Sequence, residues 1–376
     1  MKNILVWGMS DFPGGIESVI INYLKHFNFS KVHFDFIITK PEIAYREQLQ
    51  KWGCSVFYFP QKRKNPIKYY KKLNDFFKNK SQNYDILWFN TNDLSNIDCV
   101  KLAKKYGIKR RIIHSHNSKN TAEGLNKIRK TVFHSYNKKN ISKWATDYWA
   151  CSTAAATWMY PHQLIRDNKI KIIKNAISLD DLKFSEEKRK KIRSKLNLKG
   201  NYIIGNIGRL NFQKNQEFII DILPQLLKMI PNAVVVLVGE GDDRKKLEKR
   251  IESLNLKSKV FLVGQQDNAS SWYSSFDVLL FPSLFEGLSV TLLEAQANGL
   301  PILASNNVHP EEEKLNNNFS YLSLDKDMKE WVNKLNYIAK NVKRENRSNI
   351  KNNFQKNGYE INTAAKQLQL EFLKEE

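Results

Sequence analysis

The sequence predicts an α/β protein of two domains, each built on a parallel sheet covered by helices on both faces. Three observations carry that expectation. Short apolar runs alternate with amphipathic helical segments along most of the chain, a pattern that favours parallel sheets buried on both sides. A chain of 376 residues is long enough for two full cores. A charged stretch, Ser185 to Gly200, stands just ahead of a fresh series of strands beginning near Tyr202, and the domains are therefore expected over 1–190 and 191–355.

The first strand reads KNILVWG. After it Gly14 and Gly15 open a helix in which Ile16, Val19, Ile20, Tyr23 and Leu24 recur at helical spacing. The N–H groups of that glycine pair would face an interdomain cleft and are candidates for ligand contact, although glycines end strands in many turns. Further strands are expected at HFDFIIT, SVFYFP, YDILWFN, RRIIHSH and YWACS. A continuous strand through RRIIHSHNS would send His114 and His116 to one face, where either could reach the C-terminal edge of the sheet. A structural histidine fits as well as a functional one, and a metal-binding H-x-H lacks an evident third ligand. Asn90 and Asn92, which follow YDILWF, are weaker candidates for the same edge.

In the second half, NYIIGNIGRLNFQKNQEFIIDIL forms a strand, a loop with Arg209 and Lys214, and a helix with Phe218, Ile219 and Ile222 on one face. VVVLVGEGDDRKKLE supplies a strand, a turn at Gly239–Gly241 and a helix from Asp242 or Asp243. KVFLVGQQDN is the next strand and loop. DVLLFPS reads as a buried strand, followed by a turn and a helix that Ser289 is placed to cap and that Gly299 and Pro301 stop.

That last segment, FPSLFEGLSVTLLEAQANGLP, is the most informative in the chain. It sets Glu286 in a glycine-containing turn and Glu294 a turn or more into the helix. The freed amides of Gly287, Leu288 and Ser289 between them suit a phosphate at a helix N-terminus. Carboxylates that accept from hydroxyls at both ends of a diphosphate match a nucleotide-sugar. Taken alone, two glutamates at this spacing would be a turn residue and a solvated helix face.

The segment resembles the E-x7-E signature of the retaining GT-B glycosyltransferases of family 4, through the F-E-G-L turn and the closing Asn298–Pro301. The upstream loop is similar to the family's G-R-L-x-x-Q-K-N, here Gly208, Arg209, Leu210, Gln213, Lys214 and Asn215. Gly14-Gly15-Ile16-Glu17 resembles its G-G-x-E loop, and His116 with Asn117 matches its histidine at a strand end near the sugar or acceptor. The resemblance covers most of the chain and is strongest from Asn201 to Pro301. One departure is Ala176, where many relatives carry glycine before the hinge.

The resemblance implies a GT-B fold, two Rossmann-like domains facing across a cleft, with acceptor bound by the first and donor by the second. A C-terminal helix over 356–376 would cross back to the first domain. It implies a retaining transfer of a hexosyl unit from a nucleotide diphosphate, UDP foremost, to a saccharide acceptor. Catalytic roles fall on Glu286 for hydroxyls of the donor sugar, on Arg209 and Lys214 for the leaving diphosphate, and on His116. Donor binding falls on Glu294 for the ribose, on Gly287, Leu288 and Ser289, on Gly14 and Gly15, and on Gly264 and Gln265 for the base. No metal and no cofactor are expected, because two cations can neutralise the leaving phosphate. Capsule, exopolysaccharide or O-antigen assembly on a polyprenyl diphosphate carrier is the expected setting. A non-catalytic nucleic-acid-binding protein and a GT-B nucleotide-sugar epimerase are the alternatives. A phosphorylase relative would need a pyridoxal site that the chain does not offer.

Charge adds a partner. Lys and Arg number 61 against 38 Asp and Glu, a net of +23, and residues 1–180 hold 31 basic and 13 acidic of them. Basic clusters from Gln61 to Lys80, Lys104 to Arg111 and Lys127 to Lys139 interleave with Tyr, Phe and Ile, which suits an anionic membrane surface. Nucleic acid would need base-reading side chains on one face, which are not singled out, and a lysine-rich composition alone would leave solvated faces. Cys54, Cys99 and Cys151 are widely spaced and expected as buried free thiols. The N-terminus runs straight into a strand, and no apolar run approaches the about 20 residues that span a bilayer. The expected location is cytoplasmic, with peripheral attachment to the inner face of the membrane.

Overall fold

The computed structural model describes the chain apart from residues 12–13, 118–123, 287–288, 307–312 and 375–376, with backbone alone over 124–126. The chain divides into two compact units, Met1–Ala176 with Ile361–Glu376, and Ile177–Glu360. The expected boundary at residue 190 falls inside a helix, Glu186–Lys195. Arg189 and Arg193 of that helix each donate to Asp277, at 2.6 and 2.5 Å, and to carbonyls of Ser274 and Ser275, so the helix packs as part of the second unit.

The first unit holds a seven-stranded sheet of β1 (Lys2–Trp7), β2 (Val32–Ile38), β3 (Val56–Tyr58), β4 (Ile86–Thr91), β5 (Arg110–Ser115), β6 (Asp147–Ala150) and β7 (Ile170–Ile172). Every pairing is parallel, in the order β3-β2-β1-β4-β5-β6-β7. Successive side chains feed opposite faces. Ile4, Val6, Phe34, Phe36 and Trp88 enter one core, and Leu5, Ile37, Leu87, Phe89 and Ile113 the other. The C-terminal helix Ile361–Leu373 completes the first of these, its Phe372 ring meeting those of Phe27, Phe34, Trp88 and Trp149.

The second unit repeats the plan with β8 (Tyr202–Ile207), β9 (Ala233–Val238), β10 (Val260–Leu262), β11 (Val278–Phe281), β12 (Ile302–Ser305) and β13 (Phe319–Leu322). Its parallel order is β10-β9-β8-β11-β12-β13. Both sheets are the α/β type expected. Strands β7, β12 and β13 were not foreseen.

In each sheet the winding direction reverses once, between β1 and β4 and between β8 and β11. Open α/β sheets bind ligands at the C-terminal ends of the strands flanking such a reversal. Backbones approach closely there. At Gly8, after β1, a Cβ would stand 2.5 Å from the Asn90 carbonyl oxygen, with φ +120°. The three cysteines are buried and form no disulfide, and among the described residues no helix is long and apolar enough to cross a membrane.

Candidate functional site

The loops leaving β8 and β11 carry both motifs read from the sequence, and they are joined to each other. After β8 the chain makes a short turn, Phe212–Lys214, capped by Asn211, whose Oδ1 accepts from the Lys214 N–H. Asn215 follows in the left-handed region, φ +55°, a conformation that asparagine tolerates better than most residues. Its side chain donates to the Pro282 carbonyl at 3.1 Å. Gln213 Nε2 donates to the Phe285 carbonyl at 2.9 Å, and the Leu284 N–H donates to the Gln213 carbonyl at 2.8 Å. Lys214 Nζ then reaches Glu286 Oε1 at 2.6 Å and stands 4.7 Å from the centre of the Phe281 ring.

Lys214 and Glu286 thus form a largely enclosed ion pair, their side chains 15% and 8% exposed. Arg209 has its carbonyl held by Gln216 Nε2 at 3.0 Å while its side chain is exposed. The next turn supports this loop from below. A Cβ on Gly239 would lie 2.0 Å from the Gly208 carbonyl oxygen, and one on Gly241 2.2 Å from that of Leu210. Only glycine allows those two backbones to pack so closely. Gly264, φ +75°, pairs with Gly239, whose N–H donates to its carbonyl at 2.9 Å, and Gln265 beside it is exposed.

Glu294 lies on the helix Val290–Ala297. Its Oε2 accepts from the Tyr273 hydroxyl at 2.9 Å. Desolvation pushes its carboxyl up to about 7, and the tyrosine bond opposes that rise in part. Ser289 occupies the N-cap position and is buried, but its hydroxyl makes no capping bond. The expected side-chain cap is therefore corrected: with ψ near +104° the residue breaks the helix by its backbone alone. Gly287 and Leu288 lie outside the described residues. Tyr273 escaped the sequence reading because only the fold brings its helix beside Glu294. Gln213 and Asn215 were quoted as motif letters with no role.

In the first unit, Gly14 is the N-cap of the helix Gly15–Leu24. The Glu17 carboxylate turns back to accept from the Ser10 N–H at 2.9 Å and is buried. A Cβ on Gly14 would meet that carboxylate at 2.7 Å, whereas Gly15 has open space. His116 Nε2 lies 2.8 Å from Asn90 Oδ1. With the amide oxygen as acceptor, Nε2 carries the hydrogen and Nδ1 keeps its lone pair. Burial pushes this imidazole down to about 3, so it is neutral at pH 7, and its Nδ1 is buried with no hydrogen-bond partner among the described residues.

His114 cannot share that role. It is fully buried between Trp88 and Trp149, with ring centroids 6.1 and 6.0 Å away, and 4.1 Å from the His116 ring. The expectation that His114 could reach the sheet edge is corrected: it lies within β5 and is fully buried, whereas His116 follows the end of that strand and is partly buried. Asn92 contributes its carbonyl to Trp158 Nε1 at 3.1 Å.

The family described as "Glycosyl transferases group 1" matches residues 188–358, a span that contains every second-unit residue discussed above. That match falls within the second unit. EpsF of Bacillus subtilis, named a putative glycosyltransferase, is 25% identical over 322 residues, 85% of this chain and 83% of its own, so the likeness runs through both units. The UDP-Gal:alpha-D-GlcNAc-diphosphoundecaprenol alpha-1,3-galactosyltransferase of Escherichia coli is 32% identical over 142 residues, 37% of either chain. Among solved structures, Anabaena HepE in complex with UDP matches with a TM-score of 0.77 over 99% of both chains at 19% identity, which shows the shared GT-B fold. The chain is a glycosyltransferase, and its second unit carries Arg209, Lys214 and Glu286 in the loops after β8 and β11, with Glu294 on the helix that follows.

Proposed function

We propose that the protein moves a hexosyl unit from a UDP-linked sugar to a saccharide acceptor, with retention of anomeric configuration. The observation that carries this reading is the Lys214–Glu286 pair at the point where the second sheet reverses. Glu286 accepts from hydroxyls of the donor sugar, and Glu294 accepts from the ribose. Arg209 and Lys214 stabilise the diphosphate as the glycosidic bond breaks, and no metal or cofactor takes part. Gly287, Leu288 and Ser289 offer backbone donors to the diphosphate, and Gly264 and Gln265 border the base. On the first unit Gly14, Gly15 and neutral His116 serve the reacting sugar and acceptor.

The acceptor is a glycan on polyprenyl diphosphate, in the assembly of a capsule, exopolysaccharide or O-antigen. The name of the Escherichia coli relative, which pairs a UDP-sugar with a diphosphoundecaprenol-linked acceptor, supports this choice. The basic first half keeps the enzyme on an anionic membrane surface from the cytoplasmic side. The deciding experiment is donor hydrolysis. UDP, GDP and ADP sugars are screened for stabilisation of the folded chain, where a ligand at 100 times its dissociation constant adds about 2.7 kcal/mol. The stabilising donor should then release its nucleotide slowly without acceptor and in the presence of a chelator. No release from any donor, or release only with added Mn²⁺, would overturn the proposal.

A further inference from the structure

The helix Gly124–Lys139 packs on the first unit through polar residues and turns apolar ones outward. Its inner contacts include the His134 ring stacked on Trp158, centroids 4.1 Å apart, and three hydrogen bonds. His134 Nδ1 accepts from the Leu94 N–H at 3.1 Å, Asn137 Nδ2 donates to the Leu94 carbonyl at 2.7 Å, and His134 Nε2 donates to the Trp158 carbonyl at 3.2 Å. On the opposite side Ile128, Val132, Phe133 and Tyr136 are 64%, 62%, 52% and 65% exposed. Ile128, Val132 and Tyr136 form one ridge at i, i+4 and i+8, with Phe133 beside it. A surface helix of a soluble domain normally has the reverse arrangement. Single exposed apolar residues are ordinary, but a contiguous ridge of them marks an interaction site.

The ridge is set in positive charge. The helix carries five basic residues and no acidic one. Beside it a groove of about 630 Å³ is lined by Lys62, Arg63, Arg129 and Lys130 together with Tyr70 and Phe133. Two of these cations are already paired, Lys62 with Asp98 at 2.7 Å and Lys130 with Asp93 at 3.3 Å. Ile67, 82% exposed on the neighbouring helix Pro66–Lys80, adds a further apolar side chain. The segments bearing these residues follow β3, β4 and β5, at the sheet edge that also holds His116.

We propose that this face is an interfacial membrane-binding surface, with the Gly124–Lys139 helix lying in the plane of an anionic bilayer. Ile128, Val132, Phe133 and Tyr136 enter the acyl boundary, and Arg63 and Arg129 meet lipid phosphates. Charge complementarity selects this occupant. A second copy in a twofold contact would bring the same cations against themselves, and nucleic acid offers aliphatic side chains nothing to bury against. An anionic bilayer satisfies both the ridge and its rim. The inference rests on the reading of the basic half as membrane-facing and adds the site and the insertion.

The test uses the full chain with phosphatidylcholine vesicles with or without phosphatidylglycerol. An environment-sensitive dye at Val132→Cys should shift to the blue only with phosphatidylglycerol, while the same dye at Lys249→Cys, exposed on the second unit, should not. V132D/F133D should weaken partitioning by about tenfold or more. It should also abolish the binding that survives 1 M salt, where the Debye length is about 3 Å. Both side chains are exposed, so folding should be kept, and hydrolysis of the soluble donor should stay at the wild-type rate. That readout separates failure of this face from failure of the transferase reading. Equal partitioning of wild type and V132D/F133D would overturn the proposal. So would a dye that stays unshifted, or a dimer that V132D/F133D dissolves without vesicle binding by the wild type.

Discussion

Lys214 Nζ lies 2.6 Å from Glu286 Oε1, although the two residues stand 72 apart in the chain. The contact converts two sequence motifs into one electrostatic unit. Without donor each charge answers the other, and desolvating either alone would cost several kcal/mol. Under the proposed function, a diphosphate drawing on the Lys214 ammonium would leave Glu286 with a lone pair for a sugar hydroxyl, which would couple donor binding to the freeing of the carboxylate.

The first prediction separates the pair's structural and chemical roles. Lys214→Ala leaves Glu286 enclosed and unpaired, so it should destabilise the second unit by about 3–5 kcal/mol and lower turnover about a hundredfold or more. Lys214→Met with Glu286→Gln removes both charges, so stability should largely return while activity does not. Urea titration with single-turnover kinetics checks this. Recovery of transfer in the double variant would show that the pair serves the fold alone.

The second prediction concerns Glu294, whose carboxyl is pushed up to about 7 from its ordinary 4.5. Between those values the folded chain holds a proton that the unfolded chain has lost. Stability from this group is therefore present below pH 4.5 and lost as pH rises through 7. A ribose donating to this carboxylate would expel the proton, so the Kd for a UDP-sugar should rise as pH falls below 7. The diphosphate diester keeps a constant charge over that range. In Glu294→Gln the affinity should be weaker and flat with pH. Tyr273→Phe removes the bond that opposes the rise, and should move the wild-type limb to higher pH in calorimetric titrations.

Much of this was legible from residue patterns because each was local. The β1, β4 and β11 runs are apolar stretches ending before Gly, Asn or Pro, β8 is a similar run broken by Gly205 and Asn206, and Arg209, Lys214, Glu286 and Glu294 sit at fixed offsets from β8 and β11. What the sequence withheld was long-range pairing. Nothing local says that Gln213 reaches Phe285, that Tyr273 meets Glu294, or that His114 turns inward while His116 does not. The exposed ridge of the Gly124–Lys139 helix was partly visible as a basic cluster mixed with Tyr, Phe and Ile. Its inverted orientation depends on Leu94 and Trp158, which supply the polar partners beneath it.

A third prediction tests the backbone support under Arg209. A Cβ on Gly239 would lie 2.0 Å from the Gly208 carbonyl oxygen, in a residue at φ +142°. Gly239→Ala must therefore displace the Gly208–Leu210 loop, costing about 1–3 kcal/mol in strain. Donor turnover should fall more than affinity for UDP alone, as Arg209 is moved from the leaving phosphate. Gly200→Ala, which meets no atom within 4 Å, is the control and should leave kcat unchanged. Equal kcat in the two variants would remove Arg209 positioning from the role of Gly239.

The fourth prediction is acid sensitivity of the first unit. Burial pushes His116 down to about 3 and holds His114 well below its ordinary range, with the His116 ring adding to the effect. In the unfolded chain both titrate near 6.5. The stability that comes from keeping them neutral is full above that value and drains away as pH falls toward 3, because the unfolded state binds the extra protons. Both His114 ring nitrogens lack a hydrogen-bond partner among the described residues. His114→Phe should therefore flatten the acid limb and raise stability at pH 5 more than at pH 8. Amide exchange in β5 at the two pH values reads this within the first unit even if the units unfold separately. An unchanged pH slope in His114→Phe would mean that His114 is not the group whose protonation opens this sheet.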